Sequence, residues 1–321
     1  MFFKNARLFC LTESFEYNQE ELETQLSELL FMPCNKYEKA SLGWVSPLGD
    51  AYTSEDEESS APLTHVIGDY IMVCAQQQDR LLPMSVVRQE TAEKVAEIEQ
   101  RQSRKVYRKE KREIQDNVYA SLLPRAFTKN QQTYAYISVN DKLLVVDSAS
   151  ASRAEALVNL LRDSLATFPV GLPQTRTAPA DIMTRWLRDK KLAANFSLLE
   201  DVVLHNPQDS NNVVRCASQD LTGEEIASHL AAGKQVKSLA LSWNHVIHCL
   251  VNDDLSIKRL QFEAIEEDRG GAEDATPAQK FDQDFALMTL ELSGFLNALF
   301  DAFGGLGDIK PMARKNEDED L

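Results

Sequence analysis

The sequence predicts an α+β fold: two antiparallel α+β units with a projecting long-helix tip. Three observations carry this expectation. Strand-period and helix-period stretches follow one another in the order strand, helix, strand, hairpin, helix, rather than alternating as βαβ repeats. Roughly 35 residues of helical pattern sit between strands, long enough to stand out from a main body. A stretch reading GLPQTRTAPA, 171–180, has the composition of a linker and divides two strand-rich halves. The boundaries that follow are 1–82 with 118–172 for a central unit and 83–117 for the helical tip. Residues 173–310 form a second, basal unit that ends in a long helix, and 311–321 form an acidic, disordered tail.

Phe3 to Thr12 alternates as a strand does. Asn18 caps the next helix, with Glu21 reaching back, and Leu22, Leu26, Leu29 and Leu30 fall on one face. Residues 43–46 read as a short strand before Pro47, and 50–60 as a solvated acidic loop. Gly68-Asp69 is a tight turn between Leu63–Ile67 and Tyr70–Ala75. Pro83 and Ser85 open the long helical region, in which a break near Gln102-Ser103 would make a helical hairpin; the pattern leaves one helix or two open. A second hairpin turns at Asn140-Asp141. Ser152 is the expected cap of the following helix, whose inner face holds Leu157, Leu160, Leu161 and Leu165.

In the second half, Asp181–Lys191 is helical around Trp186, and Phe196–His205 and Val213–Cys216 are strands. Thr222 with Glu225 marks another helix start. Val236–Trp243, His245–Val251 and Ser256–Phe262 form a three-strand meander. Thr276-Pro277 begins the last long helix, with Phe281, Phe285, Met288, Leu292 and Leu296 inward, and Gly304-Gly305 ends it.

The 321 residues carry 34 Lys and Arg against 50 Asp and Glu, a net charge of −16. Against that background the segment RQSRKVYRKEKR, 101–112, is anomalous. It holds Arg101, Arg104, Lys105, Arg108, Lys109, Lys111 and Arg112, opposed only by Glu110. On one continuous helix these seven side chains fit within an arc of about 160°. Such a sign reversal points to an anionic partner, although a solvated helix face has the same composition. Downstream, Pro124 ends the helix and Arg125, Phe127 and Lys129 follow at alternate positions. Extended, the three share one side, an arrangement suited to phosphate contact and base stacking. The competing role for Phe127 is a core aromatic sealing the helix exit.

Enzyme signatures are missing. No GxxxxGK[ST], GxGxxG or GxSxG occurs, and no motif pairs carboxylates for two-metal chemistry. His245, His248 and Cys249 look like a metal cluster, but on a strand positions 245 and 248 face opposite ways. His65 is expected to play a structural, hydrogen-bonding part. Neither catalytic nor metal-binding residues are assigned, and no cofactor is expected. The five cysteines are scattered without CxxC and are expected as reduced thiols. No run approaches 18 apolar residues and no long apolar stretch follows the N-terminus, so neither a membrane span nor a secretory signal is expected.

The segment Ser121-Leu122-Leu123-Pro124-Arg125-Ala126-Phe127 resembles the central motif of the bacterial recombination-associated RdgC family. Further likeness runs along nearly the whole chain. It includes Met1-Phe2-Phe3-Lys4-Asn5, Met32-Pro33-Cys34, Gly43-Trp44-Val45-Ser46-Pro47-Leu48-Gly49 and Leu63-Thr64-His65-Val66. It continues through Val146-Asp147-Ser148-Ala149-Ser150, Trp186, Gln219-Asp220-Leu221-Thr222, Leu239-Ala240-Leu241-Ser242-Trp243 and Phe281-Asp282-Gln283-Asp284-Phe285. The resemblance implies a ring-shaped homodimer with a basic central hole. Such a ring would bind duplex or single-stranded DNA and restrain the recombinase RecA, in a cytoplasmic, nucleoid-associated setting. Gln219 is carried over as a DNA-binding residue on that basis; before it, Ser218 stands where the family commonly has Lys. The alternative is a protein-binding scaffold whose basic helix docks an acidic partner, with a nuclease as a third reading.

Overall fold

The computed structural model describes residues 2–49, 61–165, 167–263 and 276–312. The expected acidic loop at 50–60 and residues 313–321 of the expected acidic tail at 311–321 lie outside these residues. Among them are seven α-helices and a large antiparallel set of strands, a mixed α/β architecture. The chain divides into two compact units. One comprises 1–26, 46–74 and 133–321; the other comprises 27–45 and 75–132.

The larger unit is organised by β1 (Asn5–Leu11). On one side β1 pairs with β6 (Leu143–Val146), which pairs with the 135–138 end of β5 (Phe127–Ser138). On its other side β1 meets β12 (Ile257–Phe262). Beyond β12 come β11 (Ile247–Asn252), β10 (Gln235–Trp243), β8 (Phe196–Asn206) and β9 (Asp209–Cys216). The expected meander is therefore present. The turn after β10, however, takes Asn244 and His245, at φ 51° and 57°, and β11 starts only at Ile247. His245 is a turn residue, so the strand argument that separated it from His248 does not apply. His248 instead pairs through Nδ1 with Glu263 at 2.9 Å.

The hairpin of β3 (Thr64–Ile67) and β4 (Tyr70–Leu81) turns at Gly68, φ +56°, a conformation glycine adopts without steric cost. The long helix α7 (Pro277–Ala302) begins in a capping box between Thr276 and Gln279. Length and composition alone would let it cross a membrane. Its apolar residues are spent on the core: Phe285, Met288, Leu292 and Phe295 are buried with Phe3, Tyr136, Phe196 and Trp243.

Two caps differ from expectation. Helix α4 (Ala151–Ser164) is capped by Ser150, whose side chain accepts the Arg153 N–H; Ser152 bonds the Ser150 hydroxyl instead. Helix α6 (Glu224–Ala231) has Gly223 at its N-cap, while Thr222 turns back onto the Asp220 carboxylate. In both, a neighbouring residue already holds the extended backbone that an N-cap needs. Asn18 does cap α1 (Gln19–Ser27), accepting from the N–H groups of Glu20 and Glu21.

In the smaller unit, β2 (Ala40–Val45) lies beside β4. Gly43 is required there, because a Cβ would sit 2.5 Å from the Phe31 backbone. From β4 the chain enters α2 (Met84–Gln102), turns, and returns as α3 (Arg108–Leu122) and a 3-10 turn at Leu123–Arg125. The helical region is thus a hairpin.

Candidate nucleic-acid interface

The helical hairpin is anchored at one end. Val87, Thr91, Val118 and Leu123 are buried, whereas Val95, Ile98 and Ile114 nearer the turn are only half-buried. Burial thins toward 103–107, so something other than apolar packing must hold the turn. Helix α2 ends at Ser103 in the left-handed conformation, φ 50°. The Val106 N–H donates to Glu99 Oε1 at 2.8 Å. The Arg104 guanidinium donates to both Glu110 carboxylate oxygens, at 2.7 and 2.6 Å, and through Nε to Gln102 Oε1 at 2.7 Å. Arg104 beside it holds the Glu110 carboxyl below the usual range.

This geometry corrects the reading of one continuous basic face. Arg101 lies in the last turn of α2, Arg104 and Lys105 lie in the turn between the helices, and Arg108, Lys109, Lys111 and Arg112 occupy the first turns of α3. All seven side chains are exposed, gathered at the end of a hairpin rather than along one helix. Arg104 is committed to Glu110, which leaves six cations unbraced by that clip. On α3 the four basic residues span about 160°, with Glu110, Ile114 and Val118 outside that arc. Their position is locally unfavourable, because cations at a helix N-terminus oppose the macrodipole by about 0.3–1 kcal/mol each. A sequence that accepts this places several positive charges at the positive end of a helix.

Downstream, Arg125 sits in the 3-10 turn and is exposed, while Phe127 and Lys129 lie on the same side of β5. Arg125 is therefore not on a common strand with the other two. Phe127 is 84% exposed and has no part in the core. Arg80, which sequence reasoning passed over, fixes the segment. Its guanidinium donates to the carbonyls of Leu123 and Ala126 at 3.5 and 3.4 Å, and to that of Asn35 at 3.1 Å. Its only sequence signal was a charge late in a strand. Gln219 belongs to the larger unit, in a bend after β9, and its amide donates to Glu225 Oε2 at 2.5 Å.

Elsewhere, His65 stands 3.2 Å from Asp282 and edge-on to Phe281; burial pushes its pKa down, with Asp282 opposing. Among the described residues no three His, Cys, Asp or Glu side chains form a metal-binding group. The five cysteines are free thiols, and burial pushes Cys10 and Cys74 up to about 12.

Residues 1–306 match a family described as "Putative exonuclease, RdgC". The chain belongs to the RdgC family. It is 40% identical over 306 residues to the recombination-associated protein RdgC of Aeromonas hydrophila subsp. hydrophila, covering 95% of this chain and 98% of that one. The namesake from Pseudomonas fluorescens is 40% identical with the same coverage. That from Yersinia enterocolitica is 38% identical over 307 residues. These relatives are named for recombination rather than for an enzymatic activity.

Proposed function

We propose that this RdgC-family protein binds DNA without reading its sequence, through the basic hairpin tip. The observation that supports this is the exposure of all seven cations of 101–112 in a chain whose net charge is −16. Phosphates are contacted by Arg101, Lys105, Arg108, Lys109, Lys111 and Arg112, with Arg125 and Lys129 beside them. Phe127 offers an aromatic face to bases or to a second subunit. Arg104 holds the turn rather than the DNA.

The protein acts as a homodimer, so that two tips reach one duplex and the second engages at high effective concentration. Closed around the duplex, the dimer restrains RecA by occupying its substrate, on the nucleoid. The family's relatives, named for recombination, support this reading. The action is binding, not cleavage.

The test is fluorescence anisotropy with a labelled duplex over a salt series. Six contacts per chain give a log–log slope near −5 per subunit. Arg108→Glu with Lys109→Glu and Arg112→Glu abolishes binding while the circular dichroism spectrum stays that of wild type. Unchanged affinity and slope would instead favour the docking of an acidic protein partner. Magnesium-dependent shortening of the duplex would revive the nuclease reading.

A further inference from the structure

Strand β12 breaks a local rule. Nine described residues other than glycine have positive φ, and eight of them lie in turns, bends or helix C-termini. Arg259, at φ 52°, is the one inside a strand. The register explains where. His248 faces Gln261 and Leu250 faces Lys258, so β12 spends one residue more than β11 and bulges. The left-handed position of such a bulge suits glycine, since an L side chain there crowds its own carbonyl. Bulges re-aim side chains, and strained residues collect where function keeps them.

The Arg259 side chain is aimed. Its Nη1 donates to Asp201 Oδ2 at 2.6 Å, yet 68% of the side chain stays exposed. The other oxygen, Asp201 Oδ1, accepts the Ser218 N–H at 3.0 Å, and the Gln219 N–H donates to the Glu200 carbonyl at 3.1 Å. One carboxylate therefore joins Arg259 to the Ser218–Gln219 bend. Arg259 also lines an open cleft of about 720 Å³ with Lys4, Gln261 and Glu263. The Leu260 N–H bonds the Lys4 carbonyl at 2.9 Å, which holds the two cation-bearing segments together. The larger unit carries 20 Lys and Arg against 40 Asp and Glu, so two exposed cations on one cleft are a local exception.

We propose that this cleft takes a backbone phosphate of DNA, with Arg259 as the contact residue, Lys4 beside it, and Asp201 positioning both Arg259 and the Gln219 bend. This rests on the DNA-binding reading above and adds a second contact, outside the hairpin. An exposed arginine at a glycine-type position carries a backbone cost that apolar packing does not offset.

The test uses the full chain and a labelled 30-bp duplex. Arg259→Gln keeps the stem and removes the charge; it weakens binding about fivefold and lowers the salt slope by about one per subunit. Arg259→Lys stays within about twofold of wild type, as a charge-only contact requires. Arg259→Gly relieves the backbone and keeps or raises the melting temperature while losing affinity like Arg259→Gln. Wild-type binding with Arg259→Gln unchanged in affinity and slope overturns the Arg259 contact and leaves the hairpin reading standing. A melting temperature that falls in Arg259→Gly, with wild-type affinity per folded molecule, shows the arginine to be a brace for Asp201 and overturns it too. A wild-type chain that holds no duplex overturns both readings.

Discussion

The smaller unit carries 14 Lys and Arg against 10 Asp and Glu; the larger carries 20 against 40. Burial runs the other way. The larger unit packs Phe3, Phe285, Phe295, Trp186 and Trp243 into one cluster, while the smaller leaves Met32, Tyr37, Tyr107 and Phe127 exposed at 71% or more. A segment that concentrates like charge cannot also be held by a deep core, because each unneutralised cation needs solvent. The hairpin meets that conflict by anchoring at Val87 and Val118 and bracing its turn with Glu99 and Glu110. One unit is stabilised by apolar contact, the other by a small apolar base and acidic clips.

The same substitution should separate the two. Phe295→Ala removes a fully buried ring that packs on Phe196 and Trp243 at 6.1 and 6.0 Å. It is expected to cost about 3–5 kcal/mol in urea denaturation. Phe127→Ala should stay within about 0.5 kcal/mol of wild type and change duplex binding or dimer assembly instead. A large loss of stability in Phe127→Ala would erase the contrast. A smaller effect tests the clips. Glu99→Ala with Glu110→Ala should speed amide exchange across 103–108 about tenfold. The melting temperature should hardly move; a global loss would mean that the turn supports the whole unit.

The smallest effect belongs to the larger unit and concerns pH. Burial lowers the His65 pKa below its ordinary 6.5, so the folded state prefers the neutral ring. The unfolded chain then binds the proton more readily. The contribution is full above the unfolded value and is lost as pH falls from there through the lower folded value. Denaturation from pH 7.5 to pH 5 should show wild type losing ground relative to His65→Gln. Parallel curves would mean that the Asp282 charge cancels the burial.

Most of the element order was legible, because Gly68-Asp69, Asn140-Asp141 and the caps Asn18 and Thr276 punctuate strongly periodic stretches. The hairpin break was not decided, since Ser103 enters the left-handed region with no glycine or proline to announce it. The basic residues were legible as a set but not as a surface. Their helical arc depended on continuity through 103–107, and the Arg104–Glu110 clip spans six positions, outside helical pair spacing. Arg259 carried no signal, because a bulge is a property of register between strands and not of one strand's residues.

If DNA meets the smaller unit's tip, as proposed, lysine acylation footprinting with and without a 30-bp duplex reads it out residue by residue. The expected result is protection of Lys105, Lys109, Lys111 and Lys129, with Lys142 and Lys280 of the larger unit unchanged. Protection at Lys142 and Lys280 with the tip lysines still reactive would contradict it.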